Sequence, residues 1–193
     1  MLKHIELPES EIVHVQDFGR RPTSKNDVST LLWLIKKHCN GNILEIGTWY
    51  GKTTYELAVR HPEKKVYTMD YMELDLNLSE NEIKTRVKLK REIGAYAKSC
   101  ENVVFLYENS QIFDLDSLHG VDFIFIDGNH SYEGVKTDTE KSIEYLRKNG
   151  GGTIAWHDVK TRRITQVPDY IDHLSKTMDI TNFTNANIGF ISV

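Results

Sequence analysis

The stretch NILEIGTWYGKTT, residues 42–54, decides the fold class. A short apolar run ends in the acid Glu45, two glycines four residues apart follow at Gly47 and Gly51, and a helix-like segment comes next. This order is typical of a strand that enters a tight turn and then a helix. Glycines let the backbone approach a ligand closely, and a helix N-terminus offers free N–H groups. The stretch therefore predicts a site for a nucleotide-like ligand at this turn.

Apolar runs and helical periodicity alternate along the rest of the chain. We expect strands at 42–46, 65–70, 102–107, 121–126 and 153–156, and two closing strands at 179–184 and 187–193. The predicted helices are 26–39, 51–60, a segment from 79 to about 99 that starts with a capping-box pattern, and 132–148. Residues 1–23 are expected to be irregular and 161–178 helical only in places.

This alternation indicates a mostly parallel sheet with helices on both faces. The last two strands have no room for a crossover helix, so they should form a hairpin that reverses the last strand. We therefore predict one α/β domain over residues 1–193. Its doubly wound, Rossmann-like, three-layer fold would have seven strands and an antiparallel edge strand. Ligands in such sheets bind beyond the carboxyl ends of the strands.

Composition limits the function classes. The chain has 193 residues, a formal net charge of −4 and 39% hydrophobic residues, which is ordinary for a globular protein. No overall basic field points to nucleic acid or to a membrane surface, and the lysine-rich stretch 84–91 is flanked by glutamates as in a solvated helix face. No signal core or membrane-length apolar run is present, so we expect a cytoplasmic protein. The sequence leaves open whether the protein forms a homo-oligomer.

Two phosphate-binding interpretations of the glycine turn are weak. The order from Gly47 to Thr53 resembles a phosphate loop but is one residue short, and Trp49 and Tyr50 are bulky for a turn that wraps an anion. The dinucleotide fingerprint G-x-G-x-x-G is absent. The acid two residues before Gly47 instead suits a positively charged ligand. Asp70, at the end of the next strand, suits a ribose diol.

These features together resemble the class I S-adenosylmethionine-dependent methyltransferases. Residues 44–51 are similar to the first motif of that family, and Asp70 falls where its ribose-binding acid lies. Residues 102–111 resemble the segment before the adenine-contacting Ser-Gln of catechol O-methyltransferases. The stretch from Asp127 to Val135 is similar to a bacterial O-methyltransferase branch that includes cephalosporin-hydroxylase-like enzymes.

The resemblance implies methylation of a small-molecule acceptor, with O-methylation as the expected chemistry. It implies S-adenosylmethionine as the cofactor. The expected cofactor-binding residues are Glu45, Gly47, Thr48, Gly51, Asp70, Tyr71, Ser110, Gln111 and Asp127. The alternative from another class is a non-catalytic protein that keeps the cofactor pocket. The loop 71–79 and the N-terminal segment 1–25 are candidate lids.

A divalent metal is a second expected ligand. Asp127 ends one predicted strand, and His157 and Asp158 end the next. Neighbouring parallel strands lie about 4.8 Å apart, so these side chains can converge on one ion. The resembling metal-dependent enzymes have Asp-Asn where this chain has His157-Asp158. Two carboxylates fit Mg²⁺, whereas the imidazole shifts the preference toward Mn²⁺, Zn²⁺ or Fe²⁺.

The predicted catalytic residues are His130, Asp127 and His157. A neutral imidazole at His130 could accept the proton of an acceptor hydroxyl near neutral pH. The alternatives are structural: His130 could cap a helix or pack in its loop, and His157 could orient Asp127 or Asp158. The sequence leaves these alternatives open, and it does not name the acceptor.

Overall fold

A computed structural model describes residues 1–17, 24–71, 92–162 and 165–193. Its centre is one sheet of eight strands. In chain order the strands are β1 (Leu2–Ile5), β2 (Asn42–Ile46), β3 (Val66–Met69), β4 (Val103–Leu106), β5 (Val121–Ile126), β6 (Thr153–His157), β7 (Ile180–Phe183) and β8 (Ile188–Ser192). Across the sheet the order is β1-β7-β8-β6-β5-β2-β3-β4.

The pairing confirms the predicted fold class. All strand pairs are parallel except the two that involve β8, which runs antiparallel to both β6 and β7. The last strand is therefore the reversed one, as the short connection at Asn185-Ala186 predicted. It lies third from one edge of the sheet, between β6 and β7, rather than at the edge itself.

The eighth strand corrects the prediction that residues 1–23 are irregular. Leu2–Ile5 pairs in parallel with β7, with Leu2 opposite Ile180 and Ile5 opposite Phe183. Four residues, of which two are apolar, carry little periodicity of their own. Their pairing depends on a partner strand at the other end of the chain, and this is why local sequence patterns did not reveal it.

Helices cover both faces of the sheet: α1 (Lys25–His38), α2 (Lys52–Arg60), α3 (Tyr132–Lys148) and α4 (Val167–Leu174). The Ser24 and Ser131 hydroxyls accept backbone N–H bonds at the first turns of α1 and α3. Pro168 lies in the first turn of α4, where a missing N–H costs nothing. Within the described ranges no helix is long and apolar enough to cross a membrane.

Some predicted features fall outside the described residues. They are most of the helix expected from 79 to 99, the lysine-rich stretch 84–91 and nearly all of the candidate lid 71–79. Part of the other candidate lid, residues 18–23, lies there as well. These expectations stay predictions.

The core consists of two apolar layers, one on each face of the sheet. Side chains alternate between faces along a strand, so Ile43 and Phe123 pack with α1 and α2, whereas Leu44 and Ile124 pack on the α3 side. All four side chains are fully buried. Burial on both faces explains why β5 is apolar along nearly its whole length.

The strand register places the site. Ile46 at the end of β2 is opposite Met69 of β3 and Ile126 of β5, and Ile126 is opposite Trp156 of β6. The residues that follow these four strands therefore leave the sheet at the same edge.

Replacing Leu44 by alanine should destabilise the fold, because the side chain is 0% exposed at the middle of the sheet. We expect the free energy of unfolding to fall by about 2–5 kcal/mol, measured by urea denaturation. Val104→Ala, on edge strand β4 with 37% exposure, is the control and should cost less than about 1 kcal/mol. Equal losses in the two variants would contradict the assigned core.

Candidate active site

A cavity of about 980 Å³ opens where β2, β3, β5 and β6 end. The turn after β2, the segment 108–111, the loop after β5 and one face of α1 line its wall. Every residue predicted to bind cofactor or metal or to act in catalysis lines this cavity except Gly51. The structure thus brings together side chains that are up to 113 residues apart in sequence, from Glu45 to Asp158.

The glycines of the turn are required by close backbone packing. Gly47 has φ 102°, and a Cβ there would lie 2.1 Å from the carbonyl oxygen of Asp127. Gly51 has φ 77°, and its Cβ would lie 2.8 Å from Cα of Gly94. Gly51 therefore shapes the turn from outside the cavity. Between them Trp49 adopts φ 44°, an unusual conformation for a bulky residue.

Polar contacts tie this turn to the end of β3. The backbone N–H of Trp49 donates to Oδ2 of Asp70 over 2.6 Å. The hydroxyl oxygens of Thr48 and Thr68 are 2.7 Å apart. The Trp49 side chain is 53% exposed and the Tyr71 side chain 48%, so two aromatic rings stand at the rim of the cavity.

Glu45 is the most buried acid of the cavity, with 1% exposure. Its Oε2 accepts hydrogen bonds from the Thr54 hydroxyl and, over 2.6 Å, from the Thr68 hydroxyl. Burial raises the pKa of Glu45 to about 8, and the negative charges of Asp127 and Asp70 add to the effect, although the two hydroxyls oppose it. The carboxyl group is thus largely protonated at neutral pH.

Ser110 and Gln111 lie at another part of the wall, in the segment after β4. The side-chain nitrogen of Gln111 donates to Oδ1 of Asp138 over 2.7 Å, away from the strand ends. The side-chain oxygen of Gln111 is therefore the atom left for the predicted contact with the cofactor.

Two histidines and two aspartates form a compact cluster at the carboxyl ends of β5 and β6. His130 Nε2 lies 3.2 Å from Asp127 Oδ1 and 3.7 Å from Asp158 Oδ2. His157 Nδ1 lies 3.5 Å from Asp127 Oδ1 and 3.3 Å from Asp158 Oδ1. The hydrogen bond with Asp127 raises the pKa of His130, although burial opposes the shift. All four predicted residues of this cluster therefore meet.

Asp27 of α1 completes the cluster from the other side. It is 6% exposed, and its Oδ2 lies 3.2 Å from His157 Nε2, while its Oδ1 accepts the backbone N–H of Asn187. Burial alone would lower the pKa of His157, but the bonds to Asp158 and Asp27 and the charge of Asp127 raise it to about 10. Three carboxylates therefore surround His157 and favour its protonated form, and a metal ion at Nδ1 would take the place of that proton.

Comparison with known proteins agrees with this geometry. A family model described as a methyltransferase domain matches residues 44–159, more than half of the chain. The chain belongs to the methyltransferase-domain family. It is therefore an enzyme that transfers methyl groups, and the family implies S-adenosylmethionine as cofactor. A comparison with curated proteins found no match.

Solved structures share the fold of this methyltransferase. A Staphylococcus aureus protein named as a candidate caffeoyl-CoA O-methyltransferase has a TM-score of 0.61 and 19% identity, covering 95% of this chain and 86% of its own. Methyltransferase PaMTH1 of Podospora anserina, solved with SAH, has a TM-score of 0.59 and 16% identity, with coverages of 88% and 78%. CalS11, a TDP-rhamnose 3′-O-methyltransferase of calicheamicin biosynthesis, has a TM-score of 0.57 and 12% identity, covering 85% of this chain and 76% of its own.

Three side chains of the methyltransferase fit a divalent metal. Asp127, His157 and Asp158 each offer one ligand atom, and these atoms all lie within 4.8 Å of one another. Asp27 holds Nε2 of His157, so Nδ1 is the nitrogen that faces the two carboxylates. A carboxylate partner on the second ring nitrogen is the usual arrangement of a metal-binding histidine. The donor set therefore suits an ion that takes both oxygen and nitrogen ligands.

Sequence reasoning missed Asp27, Asn187 and Asp138. Asp27 and Asp138 lie within amphipathic helices, and Asn187 lies in the turn before β8. A buried acid on a helix has no sequence signature beyond its place on the apolar face. Asp27 is buried on the same side of α1 as Val28, Leu31 and Leu32. A charged residue among these apolar positions is the one sequence signal that could have revealed it.

The raised pKa of Glu45 predicts how stability depends on pH. A carboxyl whose pKa is about 8 in the fold and 4.5 when exposed binds a proton more tightly in the folded state. The free energy of unfolding should therefore fall as pH rises from about 4.5 to about 8. Glu45→Gln should remove this part of the slope, as measured by urea denaturation across that range.

Glu133→Gln, with a side chain that is 79% exposed, is the matched control for loss of one carboxylate. It should keep the wild-type slope. Identical slopes in wild type and Glu45→Gln would show that Glu45 has no raised pKa in the folded protein.

Proposed function

We propose that this methyltransferase transfers a methyl group from S-adenosylmethionine to an oxygen of a small-molecule acceptor, with a divalent metal at Asp127, His157 and Asp158. One observation carries the proposal: the glycine turn with Asp70 and the acid–imidazole cluster face the same cavity. Its volume of about 980 Å³ is near the upper end for small-molecule sites, which allows both a cofactor and an acceptor. The names of the S. aureus protein and of CalS11 support oxygen as the acceptor atom.

The cofactor would lie along the ends of β2, β3 and β4. Asp70 accepts the Trp49 N–H through Oδ2, and the carboxylate can also accept from the ribose diol. Glu45 and the close-packed backbone at Gly47 would face the methionine part, where the sulfonium adds one positive charge. Tyr71 and the segment 110–111 would face the adenine. Support comes from the position of these residues in the wall of one cavity.

The acceptor would lie beside His130. During transfer a bond forms between the acceptor oxygen and the methyl carbon, the carbon–sulfur bond breaks, and its electron pair stays on sulfur. The hydroxyl proton moves to Nδ1 of a neutral His130, because Nε2 lies 3.2 Å from Asp127 Oδ1 and directs its own hydrogen toward that carboxylate. The nearby carboxylates of Asp127 and Asp158, 3.2 Å and 3.7 Å from Nε2, stabilise the resulting imidazolium.

A bound divalent cation would lower the pKa of the acceptor hydroxyl. The protein's part is to hold the ligand atoms. Asp27 fixes the imidazole of His157 through Nε2, and Asn187 fixes Asp27 by donating its backbone N–H over 2.6 Å. The side chain of Asn187 also donates to Oδ1 of Asp158 over 2.9 Å. One residue of the hairpin turn therefore supports both halves of the His157-Asp158 pair.

Asp158→Asn should lose turnover while keeping cofactor affinity. Asparagine tolerates the left-handed backbone that Asp158 adopts at φ 61°, so the fold should persist. We expect a rate loss of about 10²-fold or more, measured with labelled S-adenosylmethionine and a panel of hydroxylated acceptors. S-adenosylhomocysteine at about 100 times its dissociation constant should still add about 2.7 kcal/mol of stability.

Asp116→Asn, an exposed residue paired with Lys148, is the control and should leave the rate unchanged. A wild-type protein stabilised by ATP or NAD but not by S-adenosylhomocysteine would overturn the proposed cofactor. Full turnover in Asp158→Asn would overturn the role of the cluster.

Removal of the Asp27 carboxylate charge should weaken metal binding. Partners of this kind typically change metal affinity by about 10–100-fold, so we expect a loss of that size for Mn²⁺ in Asp27→Asn. Calorimetric titration of chelator-treated protein measures it directly, without turnover. Asp17→Asn, on the described N-terminal segment, is the control. Absence of Mn²⁺ and Mg²⁺ binding by the wild type would contradict the metal site.

A further inference from the structure

We propose that Asp138 is a positioning residue that makes the cofactor pocket selective for adenine, by fixing the orientation of the Gln111 side-chain amide. The inference rests on the proposed function, since it takes S-adenosylmethionine as the ligand whose base lies at the segment 110–111. It adds a residue that contacts no ligand and acts through another side chain.

The geometry fixes which end of the Gln111 amide faces Asp138. The nitrogen Nε2 lies 2.7 Å from Asp138 Oδ1 and 3.4 Å from the backbone carbonyl oxygen of Gly134. Both partners are acceptors, so an amide turned by 180° would place its oxygen against two other oxygens. The nitrogen is therefore held at α3, and the carbonyl oxygen is left on the opposite side of the amide group.

Hydrogen bonds also fix the backbone around Gln111. Its N–H donates to the side-chain oxygen of Asn109 over 3.0 Å. The ammonium of Lys141, one turn along α3 from Asp138, donates to the carbonyl oxygens of Ser110 and Phe113 over 2.5 Å and 2.7 Å. Gln111 has little freedom to move away from Asp138, so the amide orientation is a fixed property of the wall.

Asp138 is an unusual residue for a helix interior. Its exposure is 1%, and its second oxygen, Oδ2, is buried without a hydrogen-bond partner among the described residues. Burial raises the pKa of Asp138 to about 6, although Ser110, Lys141 and Gln111 lower it. A buried acid with one unpaired oxygen costs stability, and an apolar residue would pack at this place without that cost. An apolar residue could supply neither the bond to Gln111 nor the interaction with the Ser110 side chain.

The orientation has a consequence for the base that the pocket accepts. The Gln111 carbonyl oxygen can accept a hydrogen bond from the exocyclic amino group of adenine. Hypoxanthine carries a carbonyl oxygen at the same position, and two acceptors would then face each other. The pocket should therefore reject a deaminated cofactor, because a site built around a hydrogen bond discriminates strongly against a ligand that cannot form it.

The test compares S-adenosylhomocysteine with its deaminated analogue, S-inosylhomocysteine, by calorimetric titration of the full chain. We expect the wild type to prefer the adenine ligand by about tenfold or more. Asp138→Ala releases the Gln111 amide, which can then turn its nitrogen toward the hypoxanthine oxygen, so the preference should fall at least several-fold. Asp138→Asn keeps an acceptor oxygen for Gln111 and should retain the wild-type preference. Gln111→Ala should lose the preference regardless of residue 138.

The ratio of the two affinities separates positioning from general destabilisation, which would weaken both ligands alike. Ser142→Ala, one turn further along the same face of α3, is the control and should keep the wild-type ratio. An unchanged ratio in Asp138→Ala would overturn the inference, as would an equal loss of the ratio in Asp138→Asn. If the wild type binds neither ligand, the proposed cofactor itself is wrong, which is a distinct outcome.

Discussion

The close approach of Gly47 to the end of β5 constrains the whole site. The Gly47 N–H donates to the carbonyl oxygen of Met69 in β3, while its Cα packs against the carbonyl group of Asp127, where no Cβ would fit. The glycine turn and Asp127, the first acid of the acid–imidazole cluster, are thus in backbone contact. A displacement of one must displace the other, so the two halves of the cavity form one rigid unit.

The wall of the cavity is rich in acidic side chains. Among the described residues of its wall, Glu45, Asp70, Asp127 and Asp158 bring acids from four strand ends to one edge. Like charges at this density are unfavourable unless protons or cations balance them. Burial favours the protonated form of Glu45, and the imidazoles of His130 and His157 lie beside Asp127 and Asp158. Such a site favours positively charged ligands, as expected for the sulfonium cofactor and for the divalent ion that we propose.

The sequence predicted those parts of the site that follow directly from strands. The carboxyl ends of parallel strands meet at one edge, so the acids at the ends of β2, β3, β5 and β6 could be placed together without coordinates. Asp27 and Asp138 could not, because a helix presents a given side chain to the sheet only once its tilt and rotation are fixed by packing. Strand β1 was missed for a similar reason, since β7, its strand partner, lies near the other end of the chain.

The backbone at the cavity rim has a consequence for how the chain tolerates mutation. Trp49 and Asp158 are the two non-glycine residues of the described ranges with positive φ, and both line the cavity. Aspartate adopts this conformation readily, but a tryptophan does so at a cost of about 1–3 kcal/mol. Selection for heat resistance alone would favour glycine at position 49. The indole at position 49 is thus a stability cost located at the mouth of the cavity, where its ring is 53% exposed.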